Sequence, residues 1–272
     1  MIEKWRLTGS DLRFLVESLM PASRDKEHAA TQLQTDEELI NTMLDDDRLF
    51  QRLISEKDMP LQVSPWLFFT VLLRRASRDL EHEAYTQERR SQQKVIIFDI
   101  EPVVKLLGRE PVRDYLAHML ASFTRIESVT VPVRVRQGIW RKYRTNDMDV
   151  EGLMRYTETL DQRFRFEVYK RIADVCLFLS GIFPEYIENQ YRYPHSRQIR
   201  PRTKGKLLRT LEDYETHGRA FYRLAAEHER ARIEGLDEVL ATLSRDFILA
   251  EKPLTFVGQR YIGLVRRKLF NV

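Results

Sequence analysis

Residues 166–183 read FEVYKRIADVCLFLSGIF, and toward the end of that run apolar residues occupy every side of a helix. A helix that is apolar all round must be covered all round, so it needs several neighbouring elements rather than one. The run therefore predicts the centre of a helical core. The next stretch of chain has the opposite character. Residues 184–206, PEYIENQYRYPHSRQIRPRTKGK, are basic, studded with Tyr and broken by Pro. That composition suits a surface loop able to meet an anionic partner.

Ten Gly and ten Pro in 272 residues are few, too few for the many turns of an all-β sandwich. Long helices are expected instead, and start signals recur. Thr8-Gly-Ser-Asp11 resembles a capping box, with Leu12, Leu15, Val16 and Leu19 on one face behind it. Thr35-Asp-Glu-Glu38 reads as a second box, and Asp45-Asp46-Asp47 can cap the helix after it. Ser64-Pro65 pairs an N-cap with a Pro at the first helical position. The helix it opens is expected to run through WLFFTVLLRRASRDLEHEAYTQERR, buried first and solvated later. Further helices are expected after Asp99, from Glu110 to Phe123, from Asp149 to Ser180 with Gly181 as a stop, from Leu207 to Gly235, and from Leu236 to a stop at Pro253. A last one carries Phe256, Leu264, Val265 and Leu269.

Two runs break the helical pattern. Lys94–Phe98 reads KVIIF, and Val129, Val131, Val133 and Val135 alternate strictly through SVTVPVRVR. Pro132 inside the second marks an edge strand. The two are expected to pair into one small ribbon. The fold class is thus mainly α, a multi-helix bundle with a small β-ribbon. A division is expected at residues 145/146, between a helical domain carrying the ribbon and a helical bundle, with one shared core left open.

The chain has 45 basic and 41 acidic residues, so a partner can be argued only from local clustering. Cys176 is the single cysteine, which excludes an intramolecular disulfide. No apolar run approaches the ~18 residues of a membrane span, and the first fifteen residues lack a signal-peptide core. A cytoplasmic protein that does not enter membranes is expected. Gly-rich phosphate loops, Gly-x-Ser-x-Gly and His-Glu-x-x-His do not occur. The expectation leans away from an enzyme, and no cofactor is implied.

Two acid-free stretches carry cations among aromatics. One holds Arg134, Arg136, Trp140, Arg141, Lys142, Tyr143 and Arg144. The other holds Tyr191, Arg192, Tyr193, His195, Arg197, Arg200, Arg202 and Lys204. Arg and Lys neutralise phosphates, and aromatic rings stack on unpaired bases; equally, such stretches can be plain solvated surface. Asp174 sits in the most apolar helix, where a carboxylate needs a partner. Lys170, one turn earlier, can supply it. Asp174 is either an active-site acid or a structural anchor, and the anchor is favoured. Glu81-His82-Glu83, Glu227-His228-Glu229 and the Asp213/His217 pair lack the Glu-x-x-His spacing of helical di-iron sites, so no metal site is expected. Trp66, Phe68, Phe69, Phe178 and Phe183 fit a core better than a pocket.

Three functions remain. The leading one is a non-enzymatic interaction, scaffolding or regulatory protein that docks a protein partner. The second is a nucleic-acid or polyanion binder using both basic stretches. The third is a ligand binder or enzyme with a helical cavity around Asp174. The oligomeric state stays open.

Overall fold

The computed structural model describes residues 7–55, 63–83, 100–124, 148–185, 187, 209–263 and 269–270, and the backbone alone of the strands at 86–90, 93–97, 128–136 and 139–146. The chain is mainly α-helical. It divides into two compact units, Met1–Tyr85 with Phe98–Arg125 and Phe256–Val272, and Thr86–Ile97 with Ile126–Thr255. The boundary read from the sequence, at 145/146, falls inside the second unit.

The first unit contains α1 (Gly9–Leu19), α2 (Lys26–Leu33), α3 (Glu37–Leu44), α4 (Asp47–Ser55), α5 (Pro65–Glu81), α6 (Ile100–Leu107) and α7 (Glu110–Ser122). Thr8 and Asp11 form the capping box that starts α1. Asp11 also does more than cap. It is fully buried, and its Oδ1 accepts from the Ser64 amide at 2.7 Å while Oδ2 accepts from the Thr8 amide and hydroxyl. Three donors satisfy a carboxylate that water no longer reaches, and they tie the start of α1 to the start of α5. Ser64 in turn caps α5 through the Leu67 amide. Leu67, Phe69, Leu72, Leu73 and Ala76 of α5 are wholly buried, packed on α6 and α7. Phe69 stacks on Phe270, with ring centroids 5.6 Å apart. The Tyr261 hydroxyl donates to Asp79 at 2.6 Å, and burial pushes its phenol well above the ordinary value.

Two arginines close helix ends in this unit. Arg74, 5% exposed, donates to Asp45 at 2.8 Å and to the Asn41 side chain and carbonyl, at the last turn of α3. Arg113 donates to the Leu107 carbonyl that ends α6. Cations belong at helix C-termini, where carbonyls lack partners. Burial, with the Arg74 charge acting in the same direction, holds the Arg113 guanidinium below its ordinary value.

The second unit holds β1 (Thr86–Arg90), β2 (Gln93–Ile97), β3 (Ser128–Arg136), β4 (Ile139–Asn146), α8 (Val150–Thr159), a 3₁₀ turn (Gln162–Phe164) and α9 (Phe166–Ile182). After these come α10 (Leu211–Glu227), α11 (Glu229–Glu234), α12 (Asp237–Arg245) and, up to Thr255, α13 (Phe247–Arg260). Residues Ile172 to Ile182 of α9 are all buried, as an all-round apolar helix requires. Glycines let its neighbours approach. A Cβ on Gly218 of α10 would collide with the Phe247 ring and crowd the Cys176 Cβ; one on Gly181 would strike Leu254.

Several expectations fail for local reasons. The ribbon expected between Lys94–Phe98 and Val129–Arg136 is not formed. The two runs lie in separate two-stranded sheets, β1 with β2 and β3 with β4, both antiparallel. Each run pairs with the strand next to it in the chain, which avoids the entropy of closing a loop that contains two helices. The charge-rich end of the long helix expected from Trp66 to Arg90 is strand β1 instead, because pairing with Val95, Ile96 and Ile97 outweighs helix propensity. The helix expected from Asp149 to Ser180 breaks at Leu160. Carbonyls near that break find new donors: Arg165 Nε reaches Leu160 O at 2.8 Å, and His228 Nε2 reaches Gln162 O at 3.0 Å. His228 is itself the break between α10 and α11, its Nδ1 accepting from the Arg230 amide. Gly235, with φ of 69°, does stop α11. Gly181 and Pro253 do not act as stops: α9 ends one residue past Gly181, and Pro253 lies inside α13, between the fully buried Ala250 and Leu254. Packing there outweighs one lost backbone hydrogen bond.

Candidate nucleic-acid interface

The β3–β4 ribbon carries the first of the two basic-aromatic stretches. Val129, Val131, Val133 and Val135 favour an extended β3, and Ile139, Trp140, Tyr143 and Thr145 do the same for β4. Strand β4 shows no clean alternation because Arg141, Lys142 and Arg144 interrupt it, so the sequence pattern alone conceals it.

The register sorts the charges. Thr130 lies opposite Arg144, Pro132 opposite Lys142, and Arg134 opposite Trp140. Directly opposed residues share a face, and alternate residues along a strand share it too. Arg134, Trp140, Lys142 and Arg144 therefore belong to one face, with Thr130 and Pro132. Val131 opposite Tyr143 and Val133 opposite Arg141 belong to the other. A bulge between Arg134 and Arg136 resets the register, so Arg136 pairs with Ile139 on the valine face. Neither strand contains a carboxylate, and α8 is a neighbour of both. The second stretch, with Tyr191, Arg192, Tyr193, His195, Arg197, Arg200, Arg202 and Lys204, lies outside the described residues.

Asp174 is 2% exposed, and both its carboxylate oxygens accept hydrogen bonds. Lys170 Nζ donates to Oδ2 at 3.3 Å, and the fully buried Tyr222 hydroxyl donates to Oδ1 at 2.8 Å. The lysine is the local partner that helical spacing offers. Tyr222 lies on α10, 48 residues away in sequence, and nothing in the local pattern signals it. The Lys170 bond lies within α9, and the Tyr222 bond fastens α9 to α10. Two residues on, burial pushes the Cys176 thiol up to about 12, which keeps it protonated and unreactive at neutral pH.

Among the described residues, no group of three or more His, Cys, Asp and Glu could hold a metal ion. His217 Nδ1 donates to the main-chain carbonyl of Asp213 rather than to its carboxylate. Trp66, Phe68, Phe69, Phe178 and Phe183 are all buried. Among the described residues, no helix is long and apolar enough to cross a membrane.

No protein-family model matches the chain, and neither does any curated protein or solved structure.

Proposed function

We propose that this chain is a non-enzymatic nucleic-acid-binding protein, and that it meets its partner through the β3–β4 face bearing Arg134, Trp140, Lys142 and Arg144. The observation that carries this reading is the strand register, which gathers three cations and an indole onto one face without a carboxylate. Cations so placed neutralise phosphates and release counterions. The valine face gains more from cover by protein, although Arg136 and Arg141 lie on it too, so we assign the partner to the opposite face.

The helical surfaces give less support to the reading in which charged helix faces dock a protein. Several of their exposed charges already pair with one another: Arg48 with Asp46, Arg230 with Glu167 and Glu234, Arg245 with Asp246. The reading of Asp174 as a reactive acid is weakened in the same way, since both its oxygens are engaged by Lys170 and Tyr222.

The test is fluorescence anisotropy of labelled DNA and RNA oligonucleotides titrated with the full chain over a range of salt. Log affinity should fall linearly with log salt, by about 0.9 per phosphate neutralised on duplex DNA. Absence of binding to every oligonucleotide at low salt contradicts the proposal and returns the search to protein partners.

A further inference from the structure

Resting on that nucleic-acid reading, we infer that the β3–β4 ribbon seats in the major groove of a B-form DNA duplex. Among the described residues, each sheet in the second unit has two strands. A two-stranded antiparallel ribbon is one of the few backbone shapes that a B-form major groove, about 12 Å wide, admits. Strands of nine and eight residues extend about 26–30 Å at roughly 3.3 Å per residue. That length lies along roughly eight base pairs at 3.4 Å each.

The chemistry of the face agrees. Arginine and lysine are the side chains suited to the O6 and N7 acceptors of guanine, and threonine and apolar groups to the thymine methyl. Arg134, Lys142, Arg144, Thr130 and Trp140 all belong to this face, and neither strand contributes a carboxylate to repel the phosphates lining the groove.

The register also separates duplex from single strand. A platform for unpaired bases sets several aromatic residues side by side on one face. Here Trp140 and Tyr143 fall on opposite faces, so the ribbon offers one aromatic where such a platform needs more. Duplex RNA is disfavoured because its A-form major groove is too deep and narrow to be read.

The experiment compares four labelled probes with the full chain at one salt concentration. They are a B-form DNA duplex, one of its strands alone, an RNA duplex of the same sequence, and a DNA duplex whose pyrimidines carry bulky 5-substituents filling the major groove. The open DNA duplex is expected to bind at least about tenfold more tightly than each of the other three. Arg144→Glu should weaken duplex binding more than Arg141→Glu, which changes the same charge on the opposite face. Equal affinity for open and blocked duplexes, preference for the single strand or RNA, or equal effects of the two variants overturns this inference while leaving nucleic-acid binding intact. Failure of all four probes overturns both.

Discussion

The charges of the helices and the charges of the β3–β4 ribbon are built on different plans. In the helical part, several cations meet carboxylates of the same fold: Arg74 with Asp45, Arg75 with Asp47 and Asp79, Arg209 with Glu151, Arg230 with Glu167 and Glu234. The ribbon holds Arg134, Arg136, Arg141, Lys142 and Arg144 in strands that contain no acid. The difference teaches that a basic residue says little by itself. What counts is whether its own element supplies an anion. Where one is supplied, the charge organises the surface; where its strand supplies none, as in the ribbon, we propose that the charge serves a partner.

Substitutions in the helical part should act on stability to different degrees and leave binding alone, and four of them sharpen the contrast. The largest effect is expected from Gly218→Val, which drives side-chain atoms into the Phe247 ring and toward Cys176. Overpacking of this kind costs roughly 3 kcal/mol or more, and urea denaturation should show a collapsed or strongly lowered midpoint. Tyr222→Phe keeps the ring but removes the donor to Asp174, leaving a buried carboxylate short of one bond. A loss of about 1.5–3 kcal/mol is expected, read by the same denaturation.

Alkaline pH provides a third handle. The folded-state pKa of the Cys176 thiol is raised from 9.0 to about 12, so its contribution to stability is complete below pH 9. That contribution is lost as pH rises from 9 toward 12, because only the unfolded chain then releases the proton freely. Between pH 9 and 10.5 about 2 kcal/mol should disappear, and Cys176→Ala should lack this component of the decline. The smallest effect is Arg230→Ala. Its partners Glu167 and Glu234 sit with it at the surface, and surface pairs contribute little. Its unfolding midpoint should be indistinguishable from that of the unaltered chain. A large destabilisation there would mean that helical ion pairs do more than organise the surface.

Local chemistry was the legible part of the fold. Thr8 with Asp11, and Ser64 before Pro65, mark helix starts because the cap is a contact within four residues. The apolar surround of Cys176 marks the buried helix for the same reason. Lys170 as a partner for Asp174 follows from helical spacing. The hidden part depends on distant residues. Tyr222 cannot be inferred from the neighbourhood of Asp174. The Gln162 carbonyl, just past the break at Leu160, is met by His228, far along the chain. Pro253 reads as a helix stop until the packing of Ala250 and Leu254 is known. For the candidate site, the residue types were visible but their arrangement was not. Trp140 and Tyr143 look like one stacking surface in the sequence, and only pairing with β3 sets them on opposite faces.

The most direct test of the proposed ribbon interface is a paired measurement on Arg134→Glu/Lys142→Glu/Arg144→Glu. Its unfolding midpoint and its affinity for labelled duplex DNA would be compared with those of the unaltered chain. The account predicts a nearly unchanged midpoint, an affinity lower by about 100-fold or more, and a salt dependence shallower by about three phosphate contacts. Unaltered affinity with unaltered stability would contradict it, since the ribbon face would then carry its charge to no binding purpose.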